Sequence, residues 1–267
     1  MAEASPPYFR ILLSVGLIVV AMGLLFTDLS LWVIILGSII LVHWVILWGQ
    51  LSPYSQLLGP VVTRFNTSEE KREIWLTLDD GPDTEETPAV LDQLDRFGVR
   101  ATFFLIGEKA AAHPELVREI HRRGHQVANH TFHHRQFLWW ALPVWMVREE
   151  IDRSADVISH ALGKNDLPPL FRSPVGMKPL FLHPLLARRG LHLIGWTTRG
   201  RDGARNPDLR QVLARLEAGT KSGAILVLHE GRGHAPGLLD QLLPRLQEAG
   251  FEAVIPSPDR FVSSGRR

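Results

Sequence analysis

Polar positions almost vanish over a long stretch near the start of the chain. Between Ile11 and Gly49 the one formally charged residue is Asp28. It sits in Thr27-Asp28-Leu29-Ser30 and splits the stretch into two apolar runs, about 9–26 and 29–49. A bilayer-spanning helix takes ~20 mostly apolar residues, so the pattern predicts a transmembrane helical hairpin over residues 1–50. Both runs are apolar on all sides, which suits lipid better than a small protein core. A signal peptide fits less well, because no small-residue cleavage site follows the first run and a second run comes at once. Trp44 and Trp48 stand where an interfacial belt belongs. Arg10 precedes the hairpin and Arg64, Lys71 and Arg72 follow it. The positive-inside rule then puts both ends in the cytoplasm, as a multi-pass protein of a bacterial inner (plasma) membrane.

Residues 51–73 read as a linker that gains charge as it leaves the membrane. Beyond it the hydrophobic period alternates between that of strands and that of helices. Strands are predicted at 74–80, 101–107, 125–130, 169–174, 191–197, 224–230 and 251–257. Helices are predicted at 86–97, 114–123, 144–162, 183–189, 207–218 and 236–249. Gly98, Gly124, Gly163, Gly190 and Gly250 each follow a predicted helix, where a C-cap glycine belongs. The alternation implies a parallel α/β architecture over 74–267. A closed barrel, a partly closed barrel and an open doubly wound sheet all satisfy it. About 195 residues is short for an eight-stranded barrel, which takes ~250.

Charge and composition remove several function classes. Lys and Arg number 29 against 28 Asp and Glu, a net charge of +1. That balance argues against nucleic acid as a partner. The absence of cysteine excludes disulfides, thiolate-held zinc, iron–sulfur clusters and thiol nucleophiles. A metal site must therefore draw on His, Asp and Glu, and there are 12 His.

The polar residues that interrupt the predicted strands gather at their carboxyl ends. They are Asp79-Asp80-Gly81-Pro82-Asp83, Asn129-His130-Thr131-Phe132-His133-His134, Arg172-Ser173-Pro174-Val175-Gly176, Trp196 through Asp202, and His229-Glu230. In parallel α/β folds that rim is where active sites are built. Neighbouring strand residues point to opposite faces, yet where a strand ends and bends two adjacent carboxylates can approach one site. One can then hold a cation while the other acts as a base. Two imidazoles four residues apart, His130 and His134, can share that cation, with His133 as the competing partner. Two His and one carboxylate leave coordination positions open.

Five segments in order, TLDDGPD (77–83), HTFHH (130–134), FRSPVG (171–176), WTTRGRD (196–202) and LVLH (226–229), resemble the motifs of the NodB-type polysaccharide deacetylases. These are metal-dependent carbohydrate N-deacetylases and esterases. The resemblance covers about 74–257. It implies an incomplete (β/α)7-type barrel, here preceded by the hairpin. It also implies a divalent metal, commonly zinc with cobalt or nickel as substitutes, held by Asp80, His130 and His134. Asp79 would be the general base and Arg172 would fix its orientation and charge. His229 would be the general acid that protonates the leaving amine, and Asp202 would hold it protonated. A backbone N–H near Val175 would stabilise the oxyanion. Leu226, Leu228 and Trp196 would shape a small pocket for the acyl methyl. Two departures stand out. Ser173 and Val175 replace a Pro and a Tyr of the usual third motif, and Gly203 follows Asp202 where the family has Trp.

Two further features point to a substrate at the membrane. FLWWALPVWM (137–146) follows the paired histidines and reads as an interfacial wedge. Arg199, Arg201 and Arg205 surround Asp202, placed to meet an anionic group such as a phosphate. The expectation is a membrane-anchored hydrolase that removes N-acetyl or N-formyl groups from amino sugars. Its substrate would be a glycan or a lipid-linked saccharide, with membrane lipids as further partners. The alternative is a catalytically silent carbohydrate-binding or scaffold protein on the same fold.

Overall fold

The computed structural model describes residues 7–26, 30–68, 71–163 and 167–263. Two long helices come first, α1 (Pro7–Phe26) and α2 (Leu31–Leu51). They run antiparallel, since Gly23 packs against Ile34 and Gly16 faces Val42. A Cβ on Gly23 would come within 2.6 Å of the Ile34 side chain, so glycine sets the closeness of the pair. Their outward side chains, including Leu17, Ile18, Leu25, Trp32, Val33, Leu36, Trp44 and Trp48, are bare. Among the described residues, α2 alone is long and apolar enough to cross a membrane. Its 21 residues span ~31 Å at 1.5 Å per residue, about a hydrocarbon core. In α1 the described apolar stretch is Ser14–Leu25. The turn that holds Asp28 lies outside the described residues.

The remaining chain forms one curled sheet wrapped by helices. Its strands are β1 (Val62–Phe65), β2 (Glu73–Asp79), β3 (Thr102–Leu105), β4 (Gln126–Asn129), β5 (Leu170–Phe171), β6 (His192–Leu193), β7 (Thr198–Arg199), β8 (Ala224–His229), β9 (Glu252–Ala253) and β10 (Phe261–Ser263). The main path runs β10-β1-β8-β2-β3-β4-β5-β6, with β7 on β8 and β9 on β2. Strands β2 to β6 and β8 pair in parallel, with Asp79 opposite His229 and Asn129 opposite Phe171. After β6 the chain returns to β1 through the single bridge Val62–Ile194 and the bond from Gly195 N–H to the Val62 carbonyl at 2.7 Å. The barrel is therefore incomplete, as the motifs imply.

The helices are α3 (Glu86–Arg96), α4 (Gly107–Ala112), α5 (Pro114–Arg122), α6 (Val144–Leu162), α7 (Leu182–Arg188), α8 (Leu209–Gly219) and α9 (Ala235–Glu248). Six match the predicted periods within two residues. The short α4 has too few turns to show a period of its own. Each of the five predicted cap glycines is left-handed, with φ between 63° and 80°, where a side chain would be strained.

Strand alternation sorts the apolar side chains into layers. Ile74, Leu76, Leu78, Phe103, Leu105, Leu226 and Leu228 point outward and pack on α3, α5, α8 and α9. Trp75, Phe104, Ala128, Ile194 and Ile225 point inward with Val62, Phe65 and Leu170 and fill the lumen. A third cluster joins Trp139, Val147, Ile151, Phe171, Leu182 and Leu186 beneath α6 and α7. Thr77 and Asp79 share the inward register of Trp75. The strand period therefore delivers a carboxylate into the barrel.

The segment 51–73 is more than a tether. Strand β1 is antiparallel to both β8 and β10, and Ser55, Leu58 and Val61 are buried. Short-range periodicity misses β1 because four residues show too little pattern. The end of α2 is fastened to the barrel. Gln50 donates its side-chain N–H to the Trp140 carbonyl at 3.0 Å, and its own carbonyl accepts Lys178 N–H at 2.8 Å. The buried Lys178 ammonium donates to the Ser52 carbonyl, and burial pulls its pKa down to about 8. Replacing Lys178 with Ala leaves that carbonyl without its donor, at a cost of about 1–3 kcal/mol. Full-length K178A in detergent should melt at a lower temperature and be cut faster by protease between Leu51 and Gly59.

Candidate active site

The site is built on a buried ion pair. Arg172, just beyond β5, is fully enclosed and stacks its guanidinium on the Phe104 ring at 4.1 Å. It donates to Asp79 Oδ1 at 2.6 Å, Thr77 Oγ1 at 2.7 Å, the Gly195 carbonyl at 2.9 Å and the Ile194 carbonyl at 3.3 Å. Asp79 Oδ2 is left facing the site, 3.9 Å from His130 Nε2.

Asp80 ends β2 in a left-handed conformation, φ 71°. That bend turns its carboxylate back beside Asp79 rather than to the opposite face. Asp80 Oδ1 lies 3.5 Å from His130 Nε2 and 3.3 Å from His134 Nε2. The three ligand atoms fall within 4.8 Å of one another. His130 Nδ1 is 2.8 Å from the Arg172 carbonyl, an acceptor only, so Nδ1 carries the proton and Nε2 offers its lone pair. Burial raises the Asp80 pKa, but His130 and His134 outweigh it and hold the carboxyl well below its usual range. Burial, then the neighbouring His130, brings His134 down to about 4, so its ring is neutral near pH 7. Asp80 Oδ1 is buried and has no hydrogen-bond partner in the protein. An unpartnered carboxylate oxygen between two imidazole Nε2 atoms suits a divalent cation with open positions.

His133 is turned away. Its Nδ1 pairs with Glu150 Oε1 at 2.7 Å, while Glu150 Oε2 accepts the N–H of Phe132 and of His133. Arg135 completes the cluster at 3.0 Å from Glu150 Oε1. Glu150, on α6, thereby decides which histidine faces Asp80. In the sequence it is one of several charges on a helix, so nothing there marks it.

Across the pocket His229 Nδ1 lies 3.0 Å from Asp202 Oδ1, and Asp202 Oδ2 accepts the His229 N–H at 2.7 Å. Burial lowers the His229 pKa. The Asp202 hydrogen bond and charge, with Asp79 and Asp80 behind, raise it further and leave it at about 9. The neighbouring Glu230 is sealed below the site, where burial, with the charges of Glu86 and Asp83, drives it up to about 8.

Asp79, Asp80, His130, His134 and His229 surround a cavity of about 220 Å³, which Trp196, Val175, Arg199 and Arg201 also line and Arg205 does not. Leu228 does not line it. With Leu226 it points outward into the helix layer, and the inward residue of β8 is Val227. Sequence reasoning missed Gln136, Ala204 and Arg232 at the same mouth. Gly203 faces the His229 ring, so the pocket is open where the family carries Trp. Ser173 is buried and accepts the Trp139 indole N–H at 2.6 Å. Trp139 is accordingly core and no part of a wedge. The barest large side chains of that segment are Phe137, Leu138 and Trp145, 80%, 63% and 63% exposed. A larger groove of about 710 Å³ between 56–60, α7 and β10 holds none of these acid–base groups.

Known proteins resemble this chain in sequence and fold. Residues 66–193 match the polysaccharide deacetylase family. A chitooligosaccharide deacetylase of Bradyrhizobium sp. (strain ANU 289) is 35% identical over 195 residues, covering 68% of this chain and 87% of the relative. A peptidoglycan-N-acetylglucosamine deacetylase of Bacillus cereus is 30% identical over 192 residues, with 68% and 84% covered. The crystal structure of the Bc1960 peptidoglycan N-acetylglucosamine deacetylase, in complex with 4-naphthalen-1-yl-N-oxidanyl-benzamide, superposes with a TM-score of 0.66. It is 27% identical, and the match covers 78% of this chain and 96% of that one. The chain belongs to the polysaccharide deacetylase family. It is a glycan deacetylase, a hydrolase of amide C–N bonds.

Removing Arg172 tests the ion pair directly. Arg172→Met leaves the Asp79 carboxylate buried without a counter-charge, which costs about 3–5 kcal/mol. The midpoint of denaturant unfolding should fall by the corresponding amount at unchanged slope. Adding Asp79→Asn to that variant should recover part of the loss.

Proposed function

We propose that the chain is a membrane-anchored, metal-dependent deacylase that frees the amine of an N-acetylated or N-formylated amino sugar. Residues 1–50 are the anchor, as a two-pass hairpin of the inner membrane, and 74–267 carry the catalysis. The observation that carries the reading is Asp80 Oδ1, buried and unpartnered between His130 Nε2 and His134 Nε2. Asp80, His130 and His134 hold a divalent metal, zinc in preference to cobalt or nickel. When bound it supplies Lewis-acid activation of water and of the amide oxygen.

The chain's own groups do the rest. Asp79, fixed through Oδ1 by Arg172, presents Oδ2 as the base that takes a proton from the attacking water. His229, held through Nδ1 by Asp202, enters the reaction protonated. It delivers that proton to the amide nitrogen as the C–N bond breaks. Val175, at the left-handed turn after Arg172, sets a backbone N–H against the developing oxyanion. Trp196 and Val227 bound the space for a small acyl group. The substrate is the amino sugar of a glycan or of a lipid-linked saccharide. The site retains base, acid and the groups that orient both, so no observation favours the silent alternative.

Separate roles give separate losses. Asp79→Asn should keep the metal and lose turnover by a factor of 100 or more, roughly the scale of general-base catalysis. Asp80→Ala and His134→Ala should lose the metal itself, read by elemental analysis. His133→Ala should retain it. Chelation should abolish release of acetate from an N-acetylated amino sugar, and zinc or cobalt should restore it.

The acid has a pH signature. A proton donor with a pKa of about 9 stays loaded through neutral pH and empties as pH rises through 9. The rate should therefore fall on the alkaline side. Asp202→Asn removes a group that raises the His229 pKa, so the alkaline limb of kcat should move to lower pH.

A further inference from the structure

We infer that Arg199, Arg201 and Arg232 form an anion subsite at the mouth of the catalytic pocket, and that the substrate is an N-acylated amino sugar joined to a lipid through phosphate. This rests on the deacylase reading of the same pocket and narrows its substrate.

All three arginines line the pocket and all three are exposed. Among the described residues none of them has a carboxylate partner. Several other surface arginines of this protein do, although they do not surround this pocket. Arg96 pairs with Asp240, Arg123 with Asp92 and Glu119, Arg189 with Asp152, and Arg245 with Glu217. The acids inside the pocket do not quench the mouth either. Asp79 is committed to Arg172, Asp202 to His229, and Asp80 to the cation position.

Arg199 is positioned through its side chain, and Arg201 and Arg232 through their backbone. The Arg199 guanidinium lies 5.6 Å from the centre of the Trp196 ring. Arg201 adopts a left-handed backbone, φ 64°, one residue before Asp202. The Arg232 N–H is anchored at 2.8 Å by Glu86, which also receives the first N–H of α9 at 3.0 Å. A single carboxylate is matched by one guanidinium fork. Three forks around one mouth suit a group with more acceptor oxygens and more charge, and phosphate is the common one.

The surroundings favour a lipid as the source of that phosphate. The Trp196 indole N–H donates to Tyr54 Oη at 2.9 Å, and Gly176 packs against Pro53. Both partners lie within three residues of the end of α2. The bare Phe137, Leu138 and Trp145 belong to the segment whose Trp140 carbonyl holds Gln50. The mouth thus opens where the chain leaves α2, at the level of lipid headgroups.

The test uses the full-length metal-loaded protein in lipid nanodiscs and three substrates. They are a neutral chitooligosaccharide, water-soluble N-acetylglucosamine 1-phosphate, and N-acetylglucosamine joined to a polyprenyl chain through phosphate. The wild type should favour the polyprenyl substrate, with the soluble phosphate second. Arg199→Ala, Arg201→Ala and Arg232→Ala should each lower kcat/KM on both phosphorylated substrates tenfold or more, mainly through KM. They should change the neutral oligosaccharide less than twofold. Arg→Lys should restore part of the loss. Arg210→Ala, exposed on α8 and outside the pocket, should change none of the three. Metal content and melting temperature should match the wild type in every variant.

Losses of equal size on neutral and phosphorylated substrates would assign these arginines to the Asp202 loop and overturn the subsite. A wild type that prefers the neutral sugar, or one bearing only a carboxylate, would overturn it as well. A soluble phosphate as good as the polyprenyl substrate would overturn the lipid source. Failure of the metal-loaded protein on all three substrates would count against the deacylase reading itself.

Discussion

One guanidinium holds the catalytic half of the barrel together. Arg172 reaches from the end of β5 across the lumen to Thr77 and Asp79 on β2 and to the carbonyls that follow β6. Its own carbonyl fixes the tautomer of His130 at the end of β4. Four strand ends are thus referred to one planar, permanently charged group. Its charge must be answered within a few ångströms, because desolvating an unpaired ion costs several kcal/mol. Asp79 answers it, and so is oriented before any substrate arrives. Orienting the Asp79 carboxylate and closing the lumen are the same interaction.

The rim around this pair is built from unfavourable backbone. Asp80, Thr131, His134, Val175 and Arg201 all adopt positive φ without being glycine, and all five border or support the pocket. Each costs about 1 kcal/mol or more and persists because neighbours over-determine it. Lys109 donates to the Asp80 carbonyl at 2.7 Å. Asn129 accepts Thr131 N–H at 2.9 Å, and Thr131 Oγ1 accepts His134 N–H at 3.2 Å. The free energy set aside here comes from the apolar layers beneath, where Leu76, Phe103, Leu226 and Leu239 are fully enclosed. Such preorganisation would let the proposed acid and base keep their positions as charge develops.

Much of this was legible in the chain because periodicity and motif order are local. The long helices and their cap glycines follow from spacing alone, and the acid–base and ligand candidates stand at strand ends. Fine side-chain direction was less accessible. Leu228 and Val227 are equally apolar, and only the register of Asp79 against His229 shows that Val227 faces inward. Trp139 looks like its neighbour Trp140, but a hydrogen bond to Ser173, distant in sequence, commits it to the core. Glu150 and Arg232 act through partners 17 and 146 residues away, a separation that no motif spans. Strand β1 forms on the edges that β8 and β10 lend it, and β10 on the edge of β1. Neither carries a pattern strong enough to stand alone.

The fastening of α2 by Gln50 and Lys178 has a consequence for how the enzyme finds its substrate. A swinging tether would let the pocket sweep a volume above the bilayer. Here the pocket wall is tied within a few residues of the helix end, so with α2 as the proposed anchor the pocket would stand at a fixed height above the bilayer. For a substrate held in the same bilayer, encounters would then occur by lateral diffusion in a plane. Turnover would follow the surface density of that substrate, with little dependence on its bulk concentration.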